Sequence, residues 1–305
     1  MKIVVLDGVS ITPGEDLKWD GLAEIGDLDY YPQSTYEECF ERMKGAEAVF
    51  FSKIHMDRRL IEANPQLRFL GVTATGFDNL DIAAARDHGI ACTNVPGYAG
   101  DAVAQHTIGL ILEMTNQIGL HNDSVHSGEW TESSCFCYTK TPLTLLAGKS
   151  LGIIGYGNIG RKVAAIGKAL GMKINIYSRD REAAMRSDFV SLHVPAAPDT
   201  IGFINDERIS QMKDGARLIN TARGVLVDED AVARALDSGK LAGFAADVLA
   251  KEPPAADDPL IHHPKCIITP HNSWCPLEAR AMICRVCAEN LESFLSGGTL
   301  NRIDL

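Results

Sequence analysis

Leu151-Gly152-Ile153-Ile154-Gly155-Tyr156-Gly157-Asn158-Ile159-Gly160 is the stretch from which the fold can be read. Residues 151–154 form an apolar run of the length of a buried strand. The run passes into three glycines spaced Gly155-x-Gly157-x-x-Gly160, and residues 160–170 carry a helical pattern. Gly155 allows a tight turn, Gly157 lets backbone approach a pyrophosphate, and Gly160 lets helix and strand pack closely. The helix N-terminus then faces the phosphates. The glycine spacing alone is a weak signal; a strand before it and a helix after it make it a strong one.

Outward from this element the same alternation continues. Short apolar runs occur at residues 3–6, 48–51, 67–72 and 90–94. Others lie at 151–154, 174–177, 189–194, 217–220, 243–248 and 266–269. Several are apolar on both faces, as parallel strands covered by helices must be. Helical patterns lie between them, at 36–43, 57–63, 80–88 and 160–170. This βαβ order predicts an α/β chain of two doubly wound parallel-sheet domains, one flavodoxin-like and one Rossmann-like, with a cleft between. The expected boundaries are residues 1–98 plus 275–305 for a five-stranded substrate domain and 99–274 for a dinucleotide-binding domain. Residues 101–118 read as one helix leaving the first domain, and 276–296 as a helix returning to it. The 305 residues, 46% of them hydrophobic, suffice for two cores.

Composition narrows the partners. A net charge of -11 repels nucleic-acid phosphates and anionic lipid. No apolar run reaches the ~20 residues that span a bilayer. The first seven residues read as a strand, too short for a signal peptide and interrupted by Asp7, which places the chain in the cytoplasm. The eight cysteines lack zinc-ligand spacing. Cys284 and Cys287 sit in a helical pattern with no second pair, and Cys135 and Cys137 lie in an aromatic loop, so reduced cytosolic thiols and no metal are expected.

The residues after the second strand of the glycine-loop domain select the cofactor. An acid there would bind the ribose 2′-hydroxyl of NAD. The chain instead has Tyr177-Ser178-Arg179-Asp180-Arg181. A hydroxyl at Ser178 and the forked guanidinium of Arg179 suit a 2′-phosphate, so NADP(H) is expected over NAD(H). Asp180 is the competing feature, because a shift of two residues would restore an acid.

Three later segments carry what hydride transfer to a keto acid requires: a fixed cation, a proton donor, and a group that holds the donor protonated. Arg223 follows an apolar run in Ile219-Asn220-Thr221-Ala222-Arg223-Gly224, His271 follows another in Thr269-Pro270-His271, and Glu252 stands between them. Taken singly, Arg223 reads as a surface arginine and His271 as a structural histidine. The motifs around them favour chemistry.

Ordered segments along the chain together resemble the D-isomer-specific 2-hydroxyacid dehydrogenases, nearest their glycerate dehydrogenase/hydroxypyruvate reductase branch. They include residues 75–81, 94–98 and 103–107, the glycine loop, His193-Val194-Pro195, residues 220–224, Asp247-Val248 before Glu252-Pro253, and 269–274. The resemblance covers nearly the whole chain. It implies reduction of a short 2-keto acid, hydroxypyruvate or glyoxylate, to the D-2-hydroxy acid, and the reverse. Arg223 would hold the carboxylate and polarise the keto oxygen. His271 would be the general acid in reduction and the base in oxidation, with Glu252 paired to it so as to favour imidazolium. Thr107, Gly155, Tyr156, Gly157, Asn158, Ile159, Gly160, Ser178, Arg179, His193, Val194, Pro195, Thr221 and Ala222 would line the cofactor, and Asp247 would orient its carboxamide. Lys53, Thr75, Gly76 and Trp274 would join Arg223 and His271 around the substrate. His193 reads as a cofactor-wall or structural residue, His106 and His126 as non-chemical, and His262-His263 as a loop without a metal partner.

The chain departs from that pattern after Arg179. Only seven residues separate it from Ser187, too few for the strand of about five and helix of roughly ten that wall the adenine in the family. Either a βα unit is absent, leaving the sheet one strand narrower, or a segment is missing from the chain. Two other readings compete with the reductase. One is a phosphoglycerate dehydrogenase without a regulatory domain, which would need further basic residues. The other is a dinucleotide-sensing binding protein on the same fold. Formate dehydrogenase relatives are disfavoured because they carry an amide where Glu252 stands. Residues 101–118 and an aromatic arm at 121–138 would form a homodimer contact.

Overall fold

The computed structural model describes residues 1–305, apart from the side chain of Glu15. The chain divides into two compact units, Met1–Ala99 with Trp274–Leu305, and Gly100–Ser273. Each is a parallel sheet covered by helices.

The first unit holds β1 (Lys2–Val5), β2 (Asp27–Tyr30), β3 (Ala48–Phe51), β4 (Phe69–Val72) and β5 (Ala91–Thr93). Their spatial order is β2-β1-β3-β4-β5, the flavodoxin-like order. Its helices are α1 (Asp20–Ile25), α2 (Tyr36–Arg42), α3 (Arg58–Glu62), α4 (Ile82–Asp87) and, from the chain's end, α11 (Leu277–Leu295). Side chains alternate between the two faces of the sheet. Val4, Val49, Phe51, Leu70 and Val72 pack on Cys39, Leu60 and Ala84 of α2–α4. Ile3, Val5, Phe50 and Phe69 pack on Leu22 of α1 and on Ile283, Cys287 and Leu291 of α11. Burying a side chain such as Phe50 or Phe51 contributes about 1.5–3 kcal/mol. The fifth strand, β2, is marked by no apolar run. Asp27-Leu28-Asp29-Tyr30 lies at the sheet edge, covered only in part, so its composition stays polar.

The second unit begins with α5 (Gly100–Asn116) and α6 (Ile118–His126). Residues 101–118 are therefore not one helix. Gln117 adopts the left-handed conformation, φ 50°, and α6 starts anew after it, taking up part of the expected arm. Next come β6 (Ser150–Ile154), α7 (Asn158–Ala169), β7 (Lys173–Ile176), α8 (Arg181–Met185), β8 (Phe189–Leu192), α9 (Asp206–Gln211), β9 (Ala216–Asn220), α10 (Glu229–Asp237), β10 (Leu241–Ala246) and β11 (Cys266–Ile268). The spatial order is β11-β10-β9-β8-β6-β7, all parallel. A Rossmann sheet carries one more strand outside β7. Here β7 is the edge, so the sheet is one strand narrower, and α8 makes the whole return to β8.

That short return is tied down closely. Asp180 caps α8, its Oδ1 accepting from Ala183 N at 3.0 Å. Asn175 Nδ2 donates to Ala183 O at 3.1 Å and to Ser187 Oγ at 3.0 Å. Gly152 of β6 backs onto α8 so closely that a Cβ would lie 2.1 Å from Ala184 O. Only glycine there allows the short helix to lie on the sheet.

Candidate active site

The order of the strands creates a switch point between β6 and β8, where connections leave to opposite sides and α/β folds bind ligands at the strand carboxyl ends. The glycine loop sits there, after β6. Gly155 has φ 98°, and a Cβ on it would come within 2.4 Å of His193 O after β8. A Cβ on Gly160 would lie 2.0 Å from Gly155 O, whereas one on Gly157 would meet nothing within 4 Å. Gly155 and Gly160 thus close the turn, and Gly157, the N-cap of α7, leaves open space above the helix N-terminus. His193 Nε2 pairs with Ser191 Oγ at 2.9 Å, while its buried Nδ1 finds no partner among the described residues. Burial pushes its pKa down to about 4, so it stays neutral near pH 7 and is no acid–base group. An open phosphate cradle beside an orphaned buried ring nitrogen fits a dinucleotide. Thr107 and Thr221, both buried, join through their hydroxyls at 2.8 Å and fix α5 to the turn after β9. Val194 packs on the core, and Pro195 O accepts from Thr200 Oγ1 at 2.7 Å.

Ser178 and Arg179 are exposed just past β7. The Arg179 guanidinium lies 5.4 Å from the Tyr156 ring centroid, a cation–π arrangement that holds it over the glycine loop. The competing acid, Asp180, is occupied as the α8 cap.

Arg223, Glu252 and His271 follow the carboxyl ends of three adjacent strands, β9, β10 and β11. Arg223 is half-buried, its Nη1 donating to Ala222 O at 2.8 Å. The fully buried Asn220 shapes its turn, donating to Arg223 O at 2.8 Å and accepting from Ala222 N at 3.1 Å. Gly224 presses against the segment that leads to Glu252: a Cβ would lie 1.9 Å from Leu249 C. Glu252 accepts from Leu249 N through Oε1 at 3.1 Å and meets His271 Nδ1 through Oε2 at 2.6 Å. The two side chains keep 35% and 28% of their surface, so the pair stays open to a small substrate. Glu252 thus takes up the Nδ1 side of the His271 ring.

His271 has φ 51°, a conformation that costs a side-chain-bearing residue roughly 1–2 kcal/mol. Asp247 holds it there. Asp247 O accepts from His271 N at 2.9 Å, Oδ1 from Thr269 Oγ1 at 2.5 Å and Asn272 N at 3.0 Å, and Oδ2 from Ser273 N at 2.9 Å. The resemblance implies that Asp247 orients the cofactor carboxamide; within the protein its carboxylate also anchors the His271 turn. His106 supports the same turn, with Nε2 2.9 Å from Thr269 Oγ1.

Sequence reading passed over Glu229. It begins α10, and its Oε1 accepts from Ala250 N at 2.7 Å, bracing the segment before Glu252. Burial and the neighbouring Asp258, Asp230 and Asp228 push its carboxyl above the usual range. An acidic first-turn residue is so common that its type gave no signal.

In the first unit, Lys53 follows β3, and Thr75-Gly76 follow the neighbouring β4. Thr75 Oγ1 donates to Val95 O at 2.8 Å, and Asn94 Nδ2 donates to Thr75 O at 2.8 Å. Trp274 meets Tyr98 edge to face at 6.3 Å.

Fold and site define a dinucleotide-dependent oxidoreductase, and comparison with known proteins gives the same class. Residues 108–273 match the model of the D-isomer specific 2-hydroxyacid dehydrogenase, NAD binding domain. The chain is 39% identical to a hydroxypyruvate reductase of Blautia hydrogenotrophica over the full length of both. That comparison runs over 322 positions, so the relative carries residues that this 305-residue chain lacks. It is 38% identical to a glycerate dehydrogenase of Methylorubrum extorquens, over 90% of this chain and 91% of that one. Among solved structures, an acyclic imino acid reductase in complex with NADPH and D-Arg superposes with a TM-score of 0.86 at 28% identity, over 99% of this chain and 100% of the other. The chain belongs to the D-isomer-specific 2-hydroxyacid dehydrogenases, oxidoreductases that interconvert 2-keto acids and D-2-hydroxy acids. No helix among the described residues is long and apolar enough to cross a membrane.

Proposed function

We propose that this enzyme is an NADPH-preferring reductase of hydroxypyruvate or glyoxylate, yielding D-glycerate or glycolate. The observation that carries the reading is the Glu252–His271 pair at 2.6 Å, placed one strand from the Arg223 turn. A reduced nicotinamide held at the glycine loop would supply the hydride. Arg223 holds the substrate carboxylate and draws negative charge onto the keto oxygen. That oxygen takes its proton from His271 Nε2, while Glu252 keeps the ring oriented. Lys53, Thr75, Gly76 and Trp274 are the contacts we assign from the first unit. Names of relatives at 39% and 38% identity support the substrate class. Steady-state assays of NADH and NADPH against hydroxypyruvate, glyoxylate, pyruvate and phosphohydroxypyruvate test it. Turnover confined to phosphohydroxypyruvate would move the assignment to a phosphoglycerate dehydrogenase, and cofactor binding without turnover to a binding protein.

The NADPH preference rests on Ser178, on Arg179 stacked over Tyr156, and on the engagement of Asp180 as a helix cap. Losing a charge-assisted bond to a phosphate costs about 1.5–3 kcal/mol, so Arg179→Ala should raise KM for NADPH roughly tenfold or more. KM for NADH should stay within about twofold, because no 2′-phosphate is present to lose. Equal losses with both cofactors would remove Arg179 from 2′-phosphate recognition.

We assign a homodimer, with a second copy covering the segment after α5. Ile118, Val125, Trp130, Phe136, Leu143 and Leu145 are all exposed there, Phe136 to 86%. Apolar surface left open along one segment marks an interface. Light scattering should give twice the chain mass, and Phe136→Glu with Trp130→Glu should shift it toward the single chain; a single-chain mass for the unaltered protein rejects the dimer. The eight free cysteines fit the reducing cytoplasm to which we assign it.

A further inference from the structure

We propose that Asp7 is a positioning residue that presents Lys53 to the substrate carboxylate, an assignment that rests on the keto-acid reading above. Asp7 stands just past β1, with only 8% of its surface exposed. Its Oδ1 accepts from Ser52 N at 2.7 Å, and its Oδ2 from Lys53 N at 2.6 Å and Ile54 N at 3.2 Å. Three consecutive amides converge on one carboxylate, so the chain leaving β3 curls around Asp7.

The opposite side of the same loop is held by a second residue. Asn79 Nδ2 donates to Ser52 O at 3.0 Å and to Ile54 O at 2.8 Å. Every backbone amide of the three residues, and both flanking carbonyls, is therefore engaged. Ser52 and Ile54 are buried, and Lys53 between them is exposed. The loop is a rigid clamp from which one cationic side chain emerges.

A carboxylate is a costly group to bury for loop closure alone. Burial pushes the Asp7 carboxyl above its usual range, opposed by the three amide bonds and by the Lys53 charge. A neutral asparagine would spare that cost, but it cannot accept all three N–H groups, since its amide nitrogen is a donor. The ionised form alone supplies acceptors for the whole nest. β3 and β4 are neighbours, so Lys53 and the Thr75-Gly76 turn emerge at the same end of the sheet. A lysine carried on a backbone-held loop at that end of the sheet suits a small carboxylate.

Asp7→Asn turns one acceptor into a donor facing Lys53 N and Ile54 N. Loss of such charge-assisted bonds should raise KM for hydroxypyruvate about tenfold, with kcat within about twofold and KM for NADPH unchanged. Lys53→Met should raise KM similarly, and the double variant should be no worse than Lys53→Met alone, because both act through one contact. Hydrogen exchange at the amides of residues 52–54 should quicken in Asp7→Asn. Should that variant fail to fold, Asn79→Ala, which frees the opposite side of the loop, should give the same KM-specific change. An unchanged KM in folded variants whose 52–54 amides exchange faster, or fully additive effects in the double variant, would overturn the role of Asp7. Absence of keto-acid turnover in the unaltered enzyme would instead overturn the functional reading beneath it.

Discussion

His271→Gln should lower kcat for keto-acid reduction by roughly 10²–10⁴, the usual contribution of a positioned general acid. KM for NADPH should hold, since the glycine loop and the Ser178–Arg179 segment lie after other strands. The loss is large because nothing else in the pair can replace the proton donor. Glu252 is engaged with Leu249 N and His271 Nδ1, and His193 is kept neutral by burial. Glutamine preserves most of the shape and one hydrogen-bonding end, so the change isolates proton transfer from packing. Glu252→Gln should cost less, about 10–100-fold, because the ring remains but its orientation loosens. A thermal melt controls for folding: the positive φ of His271 is held by backbone bonds to Asp247 that either substitution leaves in place. A His271→Gln enzyme with near-normal kcat would remove His271 as the acid.

Arg223→Ala should reduce kcat/KM for hydroxypyruvate by about 10²–10³, the scale for removing a preorganised electrostatic donor in an active site. Its Nη1 is already fixed on Ala222 O, and Asn220 braces the turn beneath it. On the proposed reading the group would meet the substrate with little left to reorganise. Both KM and kcat should suffer, because the same cation binds the carboxylate and stabilises charge developing on the keto oxygen. Arg223→Lys should recover only part of the loss, since an ammonium lacks the fork that spans two oxygens. A change in KM alone would confine Arg223 to substrate binding.

Much of this site was legible in the chain because it depends on local grammar. The glycine loop is written between one strand and one helix, and the structure puts each glycine where a Cβ would clash or would fill open space. Arg223, Glu252 and His271 could be listed as candidates because each follows a strand-like run. Counting seven residues after Arg179 was enough to see that the strand and helix expected there do not fit. What stayed hidden were groups whose type is ordinary and whose meaning is positional: Glu229 as a brace, Asp247 as the anchor of the His271 turn, Asp7 as the centre of the Lys53 loop. β2 was similarly masked, because an edge strand needs no apolar run.

The sequence by itself determined two parallel α/β units, the glycine loop between a strand and a helix, and the shortened return after Arg179. Each is encoded by periodicity or by spacing within a few residues, where chain geometry leaves few choices. Only the tertiary structure decided that β9, β10 and β11 lie side by side and that His271 meets Glu252. It also decided that Asp180 caps α8. These are contacts between residues distant in the chain or choices among competing hydrogen-bond partners. They are fixed by how whole sheets pack, and no local pattern contains that information.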